Sequence, residues 1–109
     1  IYKSFSDFIS DIEKKVNFKE VSIEVENIKD FKKACLYKPK NILLDNFTLP
    51  QIKRASQLKR STRTSIEISG NITLKNIKFF KNLKVDYISI GDLTKNINSI
   101  DFSMLIEKD

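Results

Sequence analysis

The sequence lacks histidine and is sparing with cysteine, glycine and proline. Without histidine, the commonest general base and metal ligand is missing. The single cysteine, Cys35, excludes a disulfide framework and a thiolate metal site, and it favours a reducing compartment, the cytoplasm. Two glycines and two prolines argue against a loop-rich module. No apolar run approaches the roughly 20 residues that cross a bilayer, and no signal peptide is visible.

What the chain does contain indicates one modest folded domain. It has 109 residues, of which 40% are hydrophobic and 10% aromatic, too many for a disordered tail. The net charge is +6, and most of the basic residues are lysines scattered along the chain. Such a surface is interpreted chiefly as solubilising. Attraction of an anionic ligand or of RNA is the alternative, although no interleaved arginine–aromatic patch is visible.

Four stretches repeat one design, a run of β-branched or aromatic residues that stops at a polar or glycine-bearing turn. A helical pattern lies between each pair, and the stretches are residues 23–27, 41–46, 66–71 and 87–92. This repetition predicts an α/β fold, a partial (β/α) barrel with about four parallel strands alternating with helices. In such folds the catalytic and ligand-binding residues lie at the carboxyl ends of the strands.

Capping residues predict where the helices begin. An apolar stripe predicts a helix over residues 1–17, and three further helices are expected to follow the first three strands. Residues 92–100 are predicted to be a polar connection, and residues 100–106 a last short strand or helix. The expected caps are Ser4 or Ser6, Asn27, Thr48 with Gln51 in a capping box, and Thr73.

Polar residues alternate with aliphatic ones along the predicted strands. The polar residues at the positions between the aliphatic ones point to the opposite face of the strand. They are Glu24, Asp45, Glu67 and Ser69. If the aliphatic side chains pack under the helices, the polar set faces the barrel interior. The alternative is an antiparallel sheet with one wet face, which the intervening helices disfavour.

Two features at the strand ends suggest a site. Glu24 and Asp45 would stand at the mouths of adjacent strands, where two carboxylates can bind Mg²⁺ or ribose hydroxyls, or stabilise a developing cation. Taken singly, each is more simply an exposed strand-end acid. The turn Ser69-Gly70-Asn71 allows close backbone approach before a helix N-terminus, which suits a phosphate. Ile90-Gly91 repeats this turn one unit later, as in the phosphate sites of many barrels.

Blocks of sequence, in order and over nearly the whole chain, carry a family pattern. They are Ile23-Glu24-Val25-Glu26-Asn27, Asn41-Ile42-Leu43-Leu44-Asp45-Asn46, Glu67-Ile68-Ser69-Gly70-Asn71-Ile72, Val85-Asp86-Tyr87-Ile88-Ser89-Ile90-Gly91, Leu93-Thr94-Lys95 and Asp101-Phe102-Ser103-Met104. Together they closely resemble the carboxyl-terminal part of the quinolinate phosphoribosyltransferases, also called nicotinate-nucleotide pyrophosphorylases (carboxylating).

The resemblance implies a reaction in NAD biosynthesis. Enzymes of this family join quinolinate to 5-phosphoribosyl 1-diphosphate, release pyrophosphate and CO₂, and form nicotinate mononucleotide. They require Mg²⁺, and the transition state has oxocarbenium character at the ribose. The resemblance assigns Glu24 and Asp45 to the ribose and the metal, Ser69, Gly70 and Asn71 to one phosphate-binding turn, and Ile90, Gly91 and Asp92 to the second.

Three departures from the family pattern matter. The family usually has alanine at Asp92, where a carboxylate beside a phosphate is electrostatically unfavourable. It usually has glycine at Lys84, where a left-handed backbone would cost a lysine about 1 kcal/mol. Members of the family also bind their anionic substrates through Arg, Lys and His residues of an amino-terminal domain and the early strands. This chain has no counterpart for them, since its arginines, Arg54, Arg60 and Arg63, lie on or after a predicted helix.

The resemblance therefore implies that residues 1–109 are the carboxyl-terminal part of the barrel domain. The amino-terminal domain and the first barrel strands would lie outside this chain, and residues 100–109 would return toward that domain. The complete enzyme is expected to be a homodimer or higher oligomer with no membrane or nucleic-acid partner, and the chain alone is expected to be inactive. The alternatives are another phosphate-binding β/α barrel and a non-catalytic basic phosphate- or RNA-binding module.

Overall fold

The computed structural model describes residues 4–59, 63–70, 77–90 and 93–100. Helices and strands alternate along most of this chain, with short 3-10 helices at Phe18–Glu20, Ile77–Phe80 and Ile97–Ser99. Among the described residues, no helix is both long enough and apolar enough to span a membrane. The main elements are α1 (Phe5–Glu13), β1 (Ser22–Val25), α2 (Ile28–Leu36), β2 (Asn41–Asp45), α3 (Leu49–Leu58), β3 (Ser65–Ser69), β4 (Tyr87–Ile90) and β5 (Leu93–Asn96).

Local capping decides where the three helices begin. The Ser4 hydroxyl accepts a hydrogen bond from the backbone N–H of Asp7 at 3.2 Å, so Ser4 is the cap of α1. The Asn27 side chain caps α2 in the same way, through the N–H of Asp30 at 2.8 Å. Each cap satisfies a backbone N–H that has no partner inside its helix.

The third helix carries the predicted capping box. The N–H of Gln51 donates to the Thr48 hydroxyl at 3.3 Å, and the N–H of Thr48 donates to the Gln51 side chain at 2.9 Å. Pro50 lies in the first turn, where a missing N–H costs nothing. The chain therefore leaves β2 and enters α3 through a tightly defined turn.

The five strands form one sheet in the order β1-β2-β3-β4-β5. The first four are parallel neighbours, with Ile23 opposite Ile42 and Ile42 opposite Ile66. Parallel neighbours joined through helices confirm the predicted α/β class and are consistent with part of a (β/α) barrel.

The predicted polar connection over residues 92–100 is wrong for its described part. Leu93–Asn96 forms β5, which runs antiparallel to β4, and a 3-10 helix follows it. All four residues of β5 are exposed, so this strand lacks the alternation of buried and exposed side chains by which a strand is recognised from sequence. The strand forms through its backbone pairing with β4, and the Ser89 and Thr94 hydroxyls lie 3.2 Å apart across it.

The start of the chain also departs from expectation. The helix predicted over residues 1–17 ends at Glu13, and a 3-10 helix, Phe18–Glu20, precedes β1. The helix expected after Thr73 begins outside the described chain, and over Ile77–Phe80 the structure has a 3-10 helix in its place. The predicted last element, residues 100–106, lies outside the described residues except for Ile100.

The hydrophobic core lies on one face of the sheet. The aliphatic residues of the strands are at most 1% exposed there and cluster with residues of all three helices. The second helix packs against β1 and β2, and α1 and α3 pack against it. The strand residues of this cluster are Ile23, Val25, Ile42, Leu44, Ile66, Ile68 and Ile88, and the helical ones are Ile9, Phe31, Ala34, Ile52 and Ala55.

The backbone at Lys84 does not carry the strain that a glycine-specific position would impose. Among the described non-glycine residues, only Lys38 and Asn46 have a positive φ, so Lys84 lies in an ordinary region. Its N–H donates to the Ser56 hydroxyl at 2.7 Å, which ties the chain before β4 to α3. The backbone of Lys84 is not left-handed, so lysine introduces no backbone strain at this position.

Candidate functional site at the polar face of the sheet

The face of the sheet opposite the core presents the polar set. Because side chains alternate along a strand, each residue between the buried aliphatic ones points to this second face. The register brings Glu24, Leu43, Glu67 and Tyr87 into one row across four strands. Residues of this face, hereafter the polar face, are Ser22, Glu24, Asn41, Leu43, Asp45, Ser65, Glu67, Ser69, Tyr87 and Ser89.

Glu24 and Asp45 lie on adjacent parallel strands of this face. Glu24 pairs in register with Leu43, and Asp45 follows two residues later, on the same side and nearer the carboxyl end of β2. Standard strand spacings put their Cα atoms about 8 Å apart. Glu24 is exposed and Asp45 half-buried, so both carboxylates are open to a ligand above the sheet.

Ser69 joins Asp45 at the end of the neighbouring strand. The two residues pair in register, and the Ser69 hydroxyl donates to Asp45 Oδ1 at 3.4 Å. One residue later, the N–H of Asn46 donates to the carbonyl of Ser69, also at 3.4 Å. These bonds hold the ends of β2 and β3 together, and they leave the second Asp45 oxygen available for a cation.

Gly70 and Asn46 form the close contact that ends these two strands. Both have left-handed backbone, with φ of +76° at Gly70 and 54° at Asn46. A Cβ at Gly70 would lie 2.3 Å from the Asn46 side-chain oxygen, nearer than real Cβ contacts come. The positive φ and the close approach of the Asn46 side chain both favour glycine at this position.

Asn41 belongs to this polar face although the sequence pattern did not single it out as functional. Its side-chain amide donates to the Ser22 hydroxyl at 3.0 Å and to Glu67 Oε1 at 3.3 Å. Its own oxygen is buried and has no hydrogen-bond partner within the described chain. An asparagine directly before an aliphatic run looks like a turn residue, so no sequence signal pointed to this network.

The described polar face is strongly acidic. Its charged residues are three carboxylates, Glu24, Asp45 and Glu67, and no lysine or arginine of β1 to β4 lies on it. Arg54 is exposed on α3, and Arg63 precedes β3 at the opposite end of the strands. Within the described strands, this face therefore attracts cations and repels anions.

Comparison with known proteins identifies the family. The family model described as the C-terminal domain of quinolinate phosphoribosyl transferase matches residues 1–105. The chain belongs to this family. A probable nicotinate-nucleotide pyrophosphorylase (carboxylating) from Methanocaldococcus jannaschii is 34% identical over 92 residues, which are 79% of this chain and 32% of that protein.

Solved structures of the family agree in fold. A nicotinate-nucleotide pyrophosphorylase from Ehrlichia chaffeensis aligns with a TM-score of 0.69 at 28% identity, over 86% of this chain and 35% of that one. NadC from Streptococcus pyogenes aligns with a TM-score of 0.62 at 33% identity, over 80% of this chain and 30% of that one. The chain thus spans about a third of the length of these relatives.

Several residues that the quinolinate phosphoribosyltransferase pattern assigns to the site fall outside the described chain. Asn71 of the first predicted phosphate turn does, and so do Gly91 and Asp92 of the second. Ile90 is the last residue of β4. The described part of the site is therefore the carboxylate pair with the turn at Ser69 and Gly70.

The donor set suits Mg²⁺ bound jointly with a substrate. The described residues contain no group of three potential ligands that would form a metal cage by themselves. Mg²⁺, however, is commonly held by one or two carboxylates, substrate phosphates and water. Glu24 and Asp45 provide two hard oxygen donors on one face, and this arrangement fits that mode.

Proposed function

We propose that the protein carrying this chain is a quinolinate phosphoribosyltransferase. It would transfer the phosphoribosyl group of 5-phosphoribosyl 1-diphosphate to quinolinate and release CO₂, giving nicotinate mononucleotide for NAD biosynthesis. The observation that carries the proposal is the pair Glu24 and Asp45, on one face of adjacent strands and next to the glycine turn at Gly70. Membership of the family gives this pair its chemical context.

The proposed reaction has two steps. The ring nitrogen of quinolinate forms a bond to ribose C1 while the bond from C1 to the diphosphate oxygen breaks, and pyrophosphate leaves. The ring carbon beside that nitrogen then loses its carboxylate as CO₂, and a proton takes its place. Positive charge develops at the ribose during the first step, so groups that favour a cation accelerate it.

Glu24 and Asp45 would supply that stabilisation. Each presents negative charge above the sheet, and Asp45 is held in place by the Ser69 hydroxyl at 3.4 Å. A carboxylate whose position is fixed before the reaction needs little reorganisation as charge develops. The predicted phosphate turn at Ser69, Gly70 and Asn71 would hold the 5-phosphate beside them, through backbone N–H groups.

Mg²⁺ is the cofactor we propose for this site. Glu24 and Asp45 would hold it together with oxygens of the diphosphate. When bound, the ion would neutralise charge on the departing pyrophosphate. Its proximity would also reduce the repulsion between the acidic polar face and an anionic substrate.

The partners of the proposed enzyme follow from the charge of its site. Quinolinate and 5-phosphoribosyl 1-diphosphate are polyanions, and bound polyanions need Arg, Lys or backbone N–H donors. The polar face of β1 to β4 offers no such side chain, so we propose that further protein segments contribute them, in a homodimer or higher oligomer. A reducing cytoplasm is the proposed location, supported by the unpaired Cys35.

The test uses the protein that carries this chain and quinolinate labelled in the carboxylate that is lost. Asp45→Asn and Glu24→Gln should each lower kcat by at least about a hundredfold with a smaller change in KM, because the lost charge acts mainly in the transition state. Glu13→Gln is the matched control, an exposed carboxylate on α1, and should release CO₂ at the original rate. No labelled CO₂ from the unaltered protein, or a rise in KM alone in both variants, would contradict the proposal.

A further inference from the structure

A second candidate site lies at the opposite end of the sheet. A groove of about 800 Å³ is lined by residues 16–19, residues 37–40 and Arg63. These segments precede β1, β2 and β3, whereas Asp45 is the last residue of β2 and Gly70 follows β3. Lys40 and Asp45 are five residues apart along an extended strand, roughly 16 Å. A ligand in this groove would therefore not reach the carboxylate site.

The groove has an aromatic wall. The rings of Phe18 and Tyr37 lie 4.9 Å apart between centroids, with an interplanar angle of 30°. Both side chains pack against the hydrophobic core on one side and line the groove on the other. Pro39 also borders the groove, and its side chain is fully buried.

Cations surround this wall. Lys19, Lys38 and Lys40 are exposed around the groove, Arg63 also lines it, and no aspartate or glutamate is among its described lining residues. Within the described chain, the three lysines make no ion pair and no side-chain hydrogen bond. Lys38 also has left-handed backbone, with φ of 50°, at a position after α2 where glycine is usual. Strain of this kind is often found at functional positions.

The groove is fixed by hydrogen bonds between its three segments. The N–H of Lys40 donates to the carbonyls of Phe18 and Val21, each at 3.0 Å. The buried Thr64 hydroxyl donates to the carbonyl of Pro39 at 2.7 Å, next to Arg63. The aromatic wall and the cations are therefore held in one arrangement before any ligand arrives, which lowers the cost of binding.

We propose that this groove binds a nucleoside phosphate. Its base would lie against the Phe18 and Tyr37 wall, and its phosphate would be held by Lys38 and Lys40. Aromatic side chains stack on any base, and lysine acts as a point charge for phosphate. Inorganic phosphate would leave the apolar wall unused, and the volume matches a site for one small molecule better than one for a polymer.

The test is calorimetric titration of the protein that carries this chain with adenosine monophosphate at low salt. Saturable binding is expected, and inorganic phosphate or adenosine alone should bind at least about tenfold more weakly, since each uses half of the groove. Lys38→Glu with Lys40→Glu should weaken binding by at least about tenfold, and so should Tyr37→Leu, which keeps an apolar side chain in the core.

The matched control is Lys29→Glu with Lys53→Glu, which makes the same charge change on exposed positions of α2 and α3. It should bind adenosine monophosphate within about twofold of the unaltered protein. Asp45→Ala should also bind it unchanged, which separates this groove from the proposed catalytic site. The inference is overturned if no saturable binding occurs, if both charge-reversed pairs bind alike, if Asp45→Ala removes binding, or if an oligonucleotide without a terminal phosphate binds more tightly.

Discussion

The Asn46 side chain occupies the space that a side chain at position 70 would need. The left-handed backbone, φ +76°, disfavours any residue with a Cβ, and that Cβ would meet the Asn46 side-chain oxygen at 2.3 Å. We expect Gly70→Ala to lower the free energy of unfolding by about 2 kcal/mol, the sum of backbone strain and the contact. Urea denaturation of the two proteins measures the difference.

A double-mutant cycle separates the two contributions. Asn46 also has left-handed backbone, so Asn46→Gly removes the clashing oxygen at a position where glycine is well tolerated. In that background, Gly70→Ala should cost only about 1 kcal/mol, which is the strain that remains. An equal loss in both backgrounds would show that the contact with Asn46 contributes nothing.

Cys35 makes a second residue-scale prediction. Burial raises the pKa of the Cys35 thiol, and the charge of Lys59 opposes that shift more weakly. Because the folded pKa lies above the unfolded one, the contribution of this thiol to stability is complete below the unfolded pKa and is lost as pH rises through the folded pKa. We expect the stability difference between the unaltered protein and Cys35→Ala to shrink above about pH 8.5.

The measurement for Cys35 is a series of urea titrations of both proteins between about pH 7 and pH 10. Titrating groups that do not interact with Cys35 affect both proteins equally and cancel in the difference. A difference that stays constant or grows with pH would contradict the raised pKa.

At the scale of elements, Asp86 lies directly before β4 and connects that strand to β3 and α3. Its carboxylate accepts the N–H of Ile66 in β3 at 2.9 Å and pairs with Lys59, at the end of α3, at 3.1 Å. The Lys59 side chain is only 11% exposed. Asp86→Ala would leave one backbone donor without its partner and a nearly buried cation unpaired, so we expect a loss of about 2 kcal/mol in unfolding free energy.

The chain offers a matched control for this ion pair. Lys15 and Asp11 lie at nearly the same separation, 3.2 Å, but on the exposed surface of α1 and the turn after it, where the lysine is 67% exposed. Asp11→Ala should therefore cost less than about 0.5 kcal/mol. Lys59→Met should recover about 1 kcal/mol of the Asp86→Ala loss, because no unpaired charge remains. Equal effects at the two aspartates in urea denaturation would refute the role assigned to burial.

The elements also indicate what could be predicted from sequence. The caps Ser4, Asn27 and Thr48 are local signals, since each contacts a backbone group three residues away, and they were confirmed. The predicted stretch at residues 66–71 overlaps the third strand, Ser65–Ser69, because the alternation of polar and aliphatic residues is regular there. The fifth strand could not be predicted, because it is exposed on every residue and depends on pairing with β4.

The same physical distinction applies to the two sites. The sequence predicts that Glu24 and Asp45 lie on the same face of adjacent strands, because the alternation of side chains along a strand determines the face that each occupies. The nucleoside phosphate groove was not foreseen, since its aromatic and basic residues come from three separate segments. The packing of Phe18 on Tyr37 and the hydrogen bonds of Lys40 and Thr64 bring these segments together.

At the scale of the whole molecule, charge is divided between the two ends of the sheet. Acidic residues occupy the polar face and its carboxyl end, whereas Lys19, Lys38, Lys40 and Arg63 gather where the strands begin. The net charge of +6 therefore says little about the proposed catalytic site, which is locally negative. Anion binding there needs a metal ion or cations from other protein segments.

We therefore predict that residues 1–109 alone do not release CO₂ from quinolinate. Two polyanionic substrates would meet three carboxylates, Glu24, Asp45 and Glu67, on a described face that carries no lysine or arginine. In addition, β1 has an unpaired edge in the described sheet, and such edges promote association with other chains.

The experiment supplies carboxyl-labelled quinolinate, 5-phosphoribosyl 1-diphosphate and Mg²⁺ to the purified 109-residue chain. Labelled CO₂ should not exceed a no-protein control, whatever the Mg²⁺ concentration, because the metal neutralises only part of the substrate charge. Circular dichroism of the same sample establishes that the α/β fold is present, so inactivity cannot be attributed to unfolding. Release above the control that disappears in Glu24→Ala would show that this chain binds both anions without further cations, and the charge argument would then be wrong.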